Sequence, residues 1–207
     1  MTRSSTGWWM GTAFVFACCL AATALAIWGT EAKGISTALR MTARLSFLLF
    51  WPAYVGSPLV ALFGPRFLPI KRRGRELGLA FAAAQFVHAG LVVWLCAIGG
   101  APGARVFEIF GTALAFTYLL ALFSVDRMRE LFGPAVWWGL RVVGMNYIAF
   151  AFTLDFRRGH PLGRSGDLIA YGPFLALSIA GLLLNLISLA LSVPWRSVLR
   201  RDVPRPN

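Results

Sequence analysis

Three cysteines, two histidines and eight acidic residues are all that this sequence of 207 residues holds of the groups that build most metal and catalytic sites. Cys18, Cys19 and Cys96 all fall inside apolar runs and form no CxxC pair or Cys/His cluster, so neither a zinc site nor a disulfide framework is indicated. Small buried apolar residues are their expected role. There is no GxSxG elbow, no phosphate-binding P-loop and no dinucleotide-binding glycine pattern. Internal repeats, low-complexity tracts and a soluble flavin or nicotinamide domain are likewise not expected. His160, in Arg-Arg-Gly-His-Pro, sits among turn residues without further ligands and reads as a solvated loop histidine.

What the sequence has in abundance is apolar surface. Hydrophobic residues make up 58% and the mean hydropathy is +0.69, above the roughly one-half usual in soluble domains. A chain of this size cannot hide that surface from water, so the bilayer is its solvent. Apolar runs extend over 8–28, 45–63, 77–97, 109–125, 135–156 and 168–195. Each approaches or exceeds the ~20 residues that a helix needs to cross hydrocarbon, and backbone satisfaction in lipid makes helix the only choice. The expectation is an all-α, polytopic membrane bundle of about six transmembrane helices forming one domain, with a disordered tail over 200–207. The first run is longer than the ~7–15 residue core of a secretory signal and is read as a retained span.

The net charge of +12 lies in short loops, where basic residues fix topology rather than bind nucleic acid. One face collects Arg3, five basic residues in 64–76, two in 126–134 and four in the tail, and 1 + 5 + 2 + 4 = 12. The other holds Lys33, Arg40, Arg44, Arg105, Arg157, Arg158 and Arg164, which is seven. The positive-inside rule then places both termini in the cytoplasm. Pro52 and Pro58 should bend the second span, and Gly7 and Gly11 form a small-xxx-small pair at the start of the first.

Polar residues at membrane depth are costly and therefore informative. They are Gln85 and His88 in the third span, Arg141, Asn146 and Asp155 in the fifth, and Asn185 in the sixth. His88 lies roughly 16 Å into its helix, near the midplane. Its imidazole can ligate haem iron or simply hydrogen-bond a neighbouring helix. Gln85 shares its face. Arg141 can snorkel to the basic side or contact an acidic group such as a haem propionate or lipid headgroup. Asp155 stands beside Arg157 and Arg158 and reads as interfacial.

Ser57-Pro58-Leu59, Arg72-Arg73, Arg75-Glu76-Leu77-Gly78-Leu79-Ala80-Phe81 and His88 together resemble the ferric-reductase-like transmembrane domain. Within it, the similarity is to the haem-binding membrane subunit of the periplasmic methionine sulfoxide reductase system. Ser124-Val125-Asp126-Arg127-Met128, then Phe132-Gly133, Trp137 or Trp138, and Leu140 resemble that family's link between spans four and five. The resemblance covers about half of the chain, from Arg44 to Phe156. It implies a bacterial inner-membrane subunit that carries electrons through b-type haem toward a membrane or periplasmic partner. The family's haem ligands carry over only at His88. Where it has two further histidines, this chain has Arg141 and, about thirteen residues on, Leu154 or Asp155. Met145, at nearly the depth of His88, is the candidate substitute ligand, and Arg141 the candidate propionate contact. The reading is thus a haem-free structural or partner-binding relative, with no cofactor and no catalytic residue. The alternative is a b-type haem electron carrier on His88.

The orientation can be checked directly. Alkaline phosphatase fused after Asn207 should stay inactive, and a fluorescent protein that matures only in the cytoplasm should light up at the same position.

Overall fold

The structure is a computed structural model and describes residues 3–124, 126–158 and 165–198. His160, Val125 and the tail Arg200–Asn207 lie outside the described residues. Among the described residues the regular structure is helical throughout: α1 (Arg3–Trp28), α2 (Ala32–Phe63), the short α3 (Leu68–Arg72), α4 (Gly74–Ala97), α5 (Ala104–Phe123), α6 (Asp126–Arg158) and α7 (Ser165–Val198). Six stretches are long and apolar enough to cross a membrane: Thr6–Trp28, Ala32–Phe63, Gly74–Ala97, Ala104–Phe123, Gly133–Arg157 and Ala170–Leu191. The chain is a multi-pass helical membrane protein of the expected class.

Two elements differ from what hydropathy alone suggests. The helix α2 begins at Ala32, whereas its apolar run starts at Leu45, 45 − 32 = 13 residues later. Lys33, Arg40 and Arg44 depress the hydropathy there, but arginine and lysine are good helix formers. Ile35, Ala38, Thr42 and Ser46, spaced by three or four, give this segment a buried face. Arg40 is accommodated on its own helix and Arg44 against α7. Arg40 donates to the Ser36 carbonyl at 3.3 Å and to Thr37 Oγ1 at 3.2 Å, while the Arg44 guanidinium lies 4.7 Å from the ring centre of buried Tyr171. At ~1.5 Å per residue α2 is about 48 Å long, well beyond the ~30 Å hydrocarbon core.

The second difference is in α6. The link expected before the fifth span is itself helical from Asp126, and the helix breaks at Gly133, whose φ of 78° and ψ of 165° lie outside the helical region. Glycine adopts that φ without steric cost, and Pro134 restarts the helix at the first-turn position where its missing N–H is harmless.

The helix α2 runs through the middle of the bundle and packs on α1, α4 and α7, while α6 packs on α5 and α7. Phe47 stands edge-on to Phe152 at 5.3 Å and to Phe156 at 5.0 Å, which joins α2 to α6. Phe50 meets Phe81 of α4 at 5.3 Å. Trp51 donates from Nε1 to the Leu177 carbonyl of α7 at 2.8 Å. A Cβ at Gly181 would sit 3.1 Å from that same nitrogen, so the glycine makes room for the indole.

The outer helix α1 seats Ala13, Ala17, Ala21 and Ala24, all buried, and packs on α2 and α4. Gly7 and Gly11 take no part in close packing within the chain: both are exposed, with open space where a Cβ would go. All three cysteines are free, and Cys19 is exposed rather than buried, because it lies off the alanine stripe that α1 turns inward.

Phe50 is 1% exposed at the junction of α2, α4 and α6. Phe50→Ala should therefore cost about 3–5 kcal/mol of stability. Leu48→Ala, at a 53% exposed position, should stay within about 0.5 kcal/mol. Unfolding by a denaturing detergent against a mild one reads both.

Candidate functional site

Between α2, α4, α5 and α6 lies a cavity of about 390 Å³. Most of its wall is apolar, and its polar side chains are Arg40 of α2, Gln85 and His88 of α4, Thr117 of α5 and Asp155 of α6. Arg40 and Asp155 lie toward the same end of the bundle as Pro102, just ahead of α5, while Phe81, Thr117 and Ile148 lie deeper. The wall reaches the outside of the bundle at Val93 and Phe107, which are 69% and 44% exposed.

The position of His88 follows from the antiparallel register of α2 and α4. Thr42 meets His88 and, eight residues further along α2, Phe50 meets Phe81, seven residues back along α4. Thr42 Oγ1 lies 3.0 Å from His88 Nδ1, 2.9 Å from the Ala38 carbonyl oxygen and 3.1 Å from that of Leu39. A hydroxyl has one proton. Two carbonyl oxygens at these distances are acceptors only, so the Thr42 proton points at them and its lone pair faces the imidazole. Nδ1 must then carry the ring's proton and donate to Thr42, which leaves Nε2 as the open lone pair.

Gln85, one turn before His88, lines the same cavity. Its Oε1 is closed off within the protein and has no hydrogen-bond partner among the described residues. Of its two amide groups, the NH₂ is the one that can donate. Thr117 directs its hydroxyl at its own helix, to the Ala113 carbonyl at 2.9 Å.

The structure gathers only part of the sequence-derived candidate set. His88, Gln85 and Asp155 line one cavity; Met145 and Arg141 do not. Met145 is half-buried against the aromatic core, and its neighbour Gly144 faces Leu120 and Phe116, so this stretch of α6 runs against α5. Arg141 is exposed on α6. Asn146 ties helices together: its Oδ1 accepts from the Tyr54 hydroxyl at 2.7 Å and its Nδ2 donates to the Val142 carbonyl at 2.7 Å. Asn185 is half-buried on α7, outside the cavity wall.

Thr42, Arg40 and Thr117 were not legible as site residues. Thr42 lies where charge hides the helix from hydropathy, and the available signal was the Ile35, Ala38, Thr42, Ser46 periodicity. As a donor set, the cavity offers iron one ring nitrogen, from His88. No three His, Cys, Asp or Glu side chains gather into a metal site among the described residues. Comparison with protein-family models, curated proteins and solved structures gives no match.

Thr42→Val removes the acceptor of the His88 Nδ1–H. A double-mutant cycle with His88→Leu should give a coupling of about 0.6–1.7 kcal/mol, the range for hydrogen bonds between membrane helices. Simple additivity of the two losses would mean that the pair is not bonded.

Proposed function

We propose that this chain is a haem-free membrane subunit of ferric-reductase-like ancestry, kept as a structural or partner-binding component of the bacterial inner membrane with both termini cytoplasmic. One observation carries the reading. Met145 and Arg141, the residues that would complete a haem site with His88, line no part of the cavity that His88 faces. Two axial ligands need facing positions on either side of one ring, and α4 and α6 do not supply them at this depth. Six-coordinate haem therefore does not fit these residues.

Retention of a fold after loss of a cofactor is ordinary, because packing and chemistry depend on different residues. The aromatic joint between α2, α4 and α6 and the Tyr54–Asn146 bond hold the bundle through contacts that do not involve His88. The connection from α2 to α4 presents Arg66, Lys71, Arg72, Arg73 and Arg75, all exposed, which suits an acidic partner or anionic headgroups at that face.

A second reading is favoured by the open Nε2 of His88: a b-type haem carried on this nitrogen alone. A ring whose other nitrogen is fixed by a hydrogen bond is oriented for metal ligation. Haem bound there would supply one-electron transfer, and this chain would contribute the ligand and its orientation through Thr42.

Purified full-length protein from haem-replete cells distinguishes the two. A featureless reduced-minus-oxidised visible spectrum is expected. A Soret band that disappears in His88→Ala, and is unchanged in Met145→Leu, would replace the haem-free reading with the second one.

A further inference from the structure

We propose that the cavity between α2, α4, α5 and α6 binds a membrane-soluble molecule with an apolar body and a hydroxyl head, held by His88 and Gln85. The inference rests on the haem-free reading, since haem on His88 would take up the same space.

The chemistry of the head follows from the two side chains. Thr42 fixes the proton of His88 on Nδ1, so Nε2 can only accept. Gln85 lines the same wall with its Oε1 buried and unpartnered among the described residues, and its NH₂ can donate. The two stand three residues apart on α4, on one face and beside one another. A ligand that satisfies both must accept from Gln85 and donate to His88 within one turn of α4. A hydroxyl does this with a single oxygen. An ether or ketone satisfies Gln85 alone, and an ammonium, which only donates, satisfies His88 alone.

The body of the ligand follows from the wall. Val92, Val93, Phe107, Phe110 and Leu114 surround the polar pair with hydrocarbon. A volume of about 390 Å³ falls within the ~300–1,000 Å³ of small-molecule sites. Access is from the lipid: Val93 and Phe107 belong both to the wall and to the exposed surface of the bundle. The α4–α5 pair, which these two residues flank, is packed far more loosely than α2–α4 or α5–α6.

The test uses the full chain in nanodiscs with hexadecanol bearing a mid-chain diazirine. Cross-linked peptides are mapped, and the label is competed with unlabelled hexadecanol, hexadecyl methyl ether and 2-hexadecanone. Labelling is expected on α4 around Val93 and on α5 between Val106 and Leu114. Hexadecanol should displace it about tenfold better than the ether or the ketone, the factor that ~1.4 kcal/mol provides.

His88→Leu should bring that preference close to one. Gln85→Leu should weaken all three competitors, because each accepts from the amide. Gly111→Leu, at a lining position with open space around its Cβ, should abolish labelling without touching either polar group. It keeps the test decisive should a His88 variant fail to fold. Equal displacement by the three competitors, or label spread over the outer faces of α1 and α7, would overturn the proposal. The absorption spectrum of the same preparation separates the two failures. A Soret band overturns the haem-free reading and this inference together, whereas a featureless spectrum without alcohol preference overturns this inference alone.

Discussion

Inside a bilayer a helix satisfies its backbone by itself, but each polar side chain it buries must find a partner on its own helix or on a neighbour. The central helix α2 meets this constraint at Thr42, Trp51 and Tyr54, while its buried Ser46 Oγ and Arg44 Nε have no hydrogen-bond partner among the described residues. Thr42 bonds its own backbone and His88 of α4. Trp51 reaches the Leu177 carbonyl of α7, and Tyr54 reaches Asn146 of α6. Three neighbouring helices are thus each tied to α2 by one polar contact, while Phe47 and Phe50 supply the apolar packing between those ties. The directional bonds set the register and the aromatic rings fill the space that the register leaves.

The same arrangement produces the cavity. The pairs α2–α4 and α5–α6 are close, but α4 meets α5 only loosely, and the pocket forms where these two well-packed pairs diverge. Two of its five polar side chains, Gln85 and His88, come from α4, which turns them along the edge of its contact with α2. Half of the imidazole is used within the bundle and half is left facing the pocket. One residue therefore both ties α4 to α2 and lines the pocket.

Much of this was legible in the sequence because the bilayer simplifies the problem. A run of about twenty apolar residues has one regular conformation in lipid, so the six spans follow from hydropathy alone. The beginning of α2 did not follow, since Arg40 and Arg44 mask a helix whose buried face is carried by Ile35, Ala38, Thr42 and Ser46. His88 and Gln85 were legible as neighbours through their spacing. Their partners were not, because pairing across helices depends on register, and register is set by contacts such as Phe50–Phe81 that lie far apart in sequence. The same reason governs Met145. Depth along α6 placed it level with His88, but rotation about the helix axis turns it against the core instead.

The hydroxyl of Thr42 has a consequence for proton movement. An imidazole relays protons by taking one on one nitrogen and releasing another from the opposite nitrogen, then turning over to reset. At His88 the Nδ1 proton is directed into a hydroxyl whose own proton already points at two backbone carbonyls, so there is no onward acceptor and a turn of the ring would break the bond. With Nδ1 held in this bond, the ring is fixed in place rather than free to turn over. A side chain that reads in the sequence as a free intramembrane imidazole is thus a fixed contact between α2 and α4.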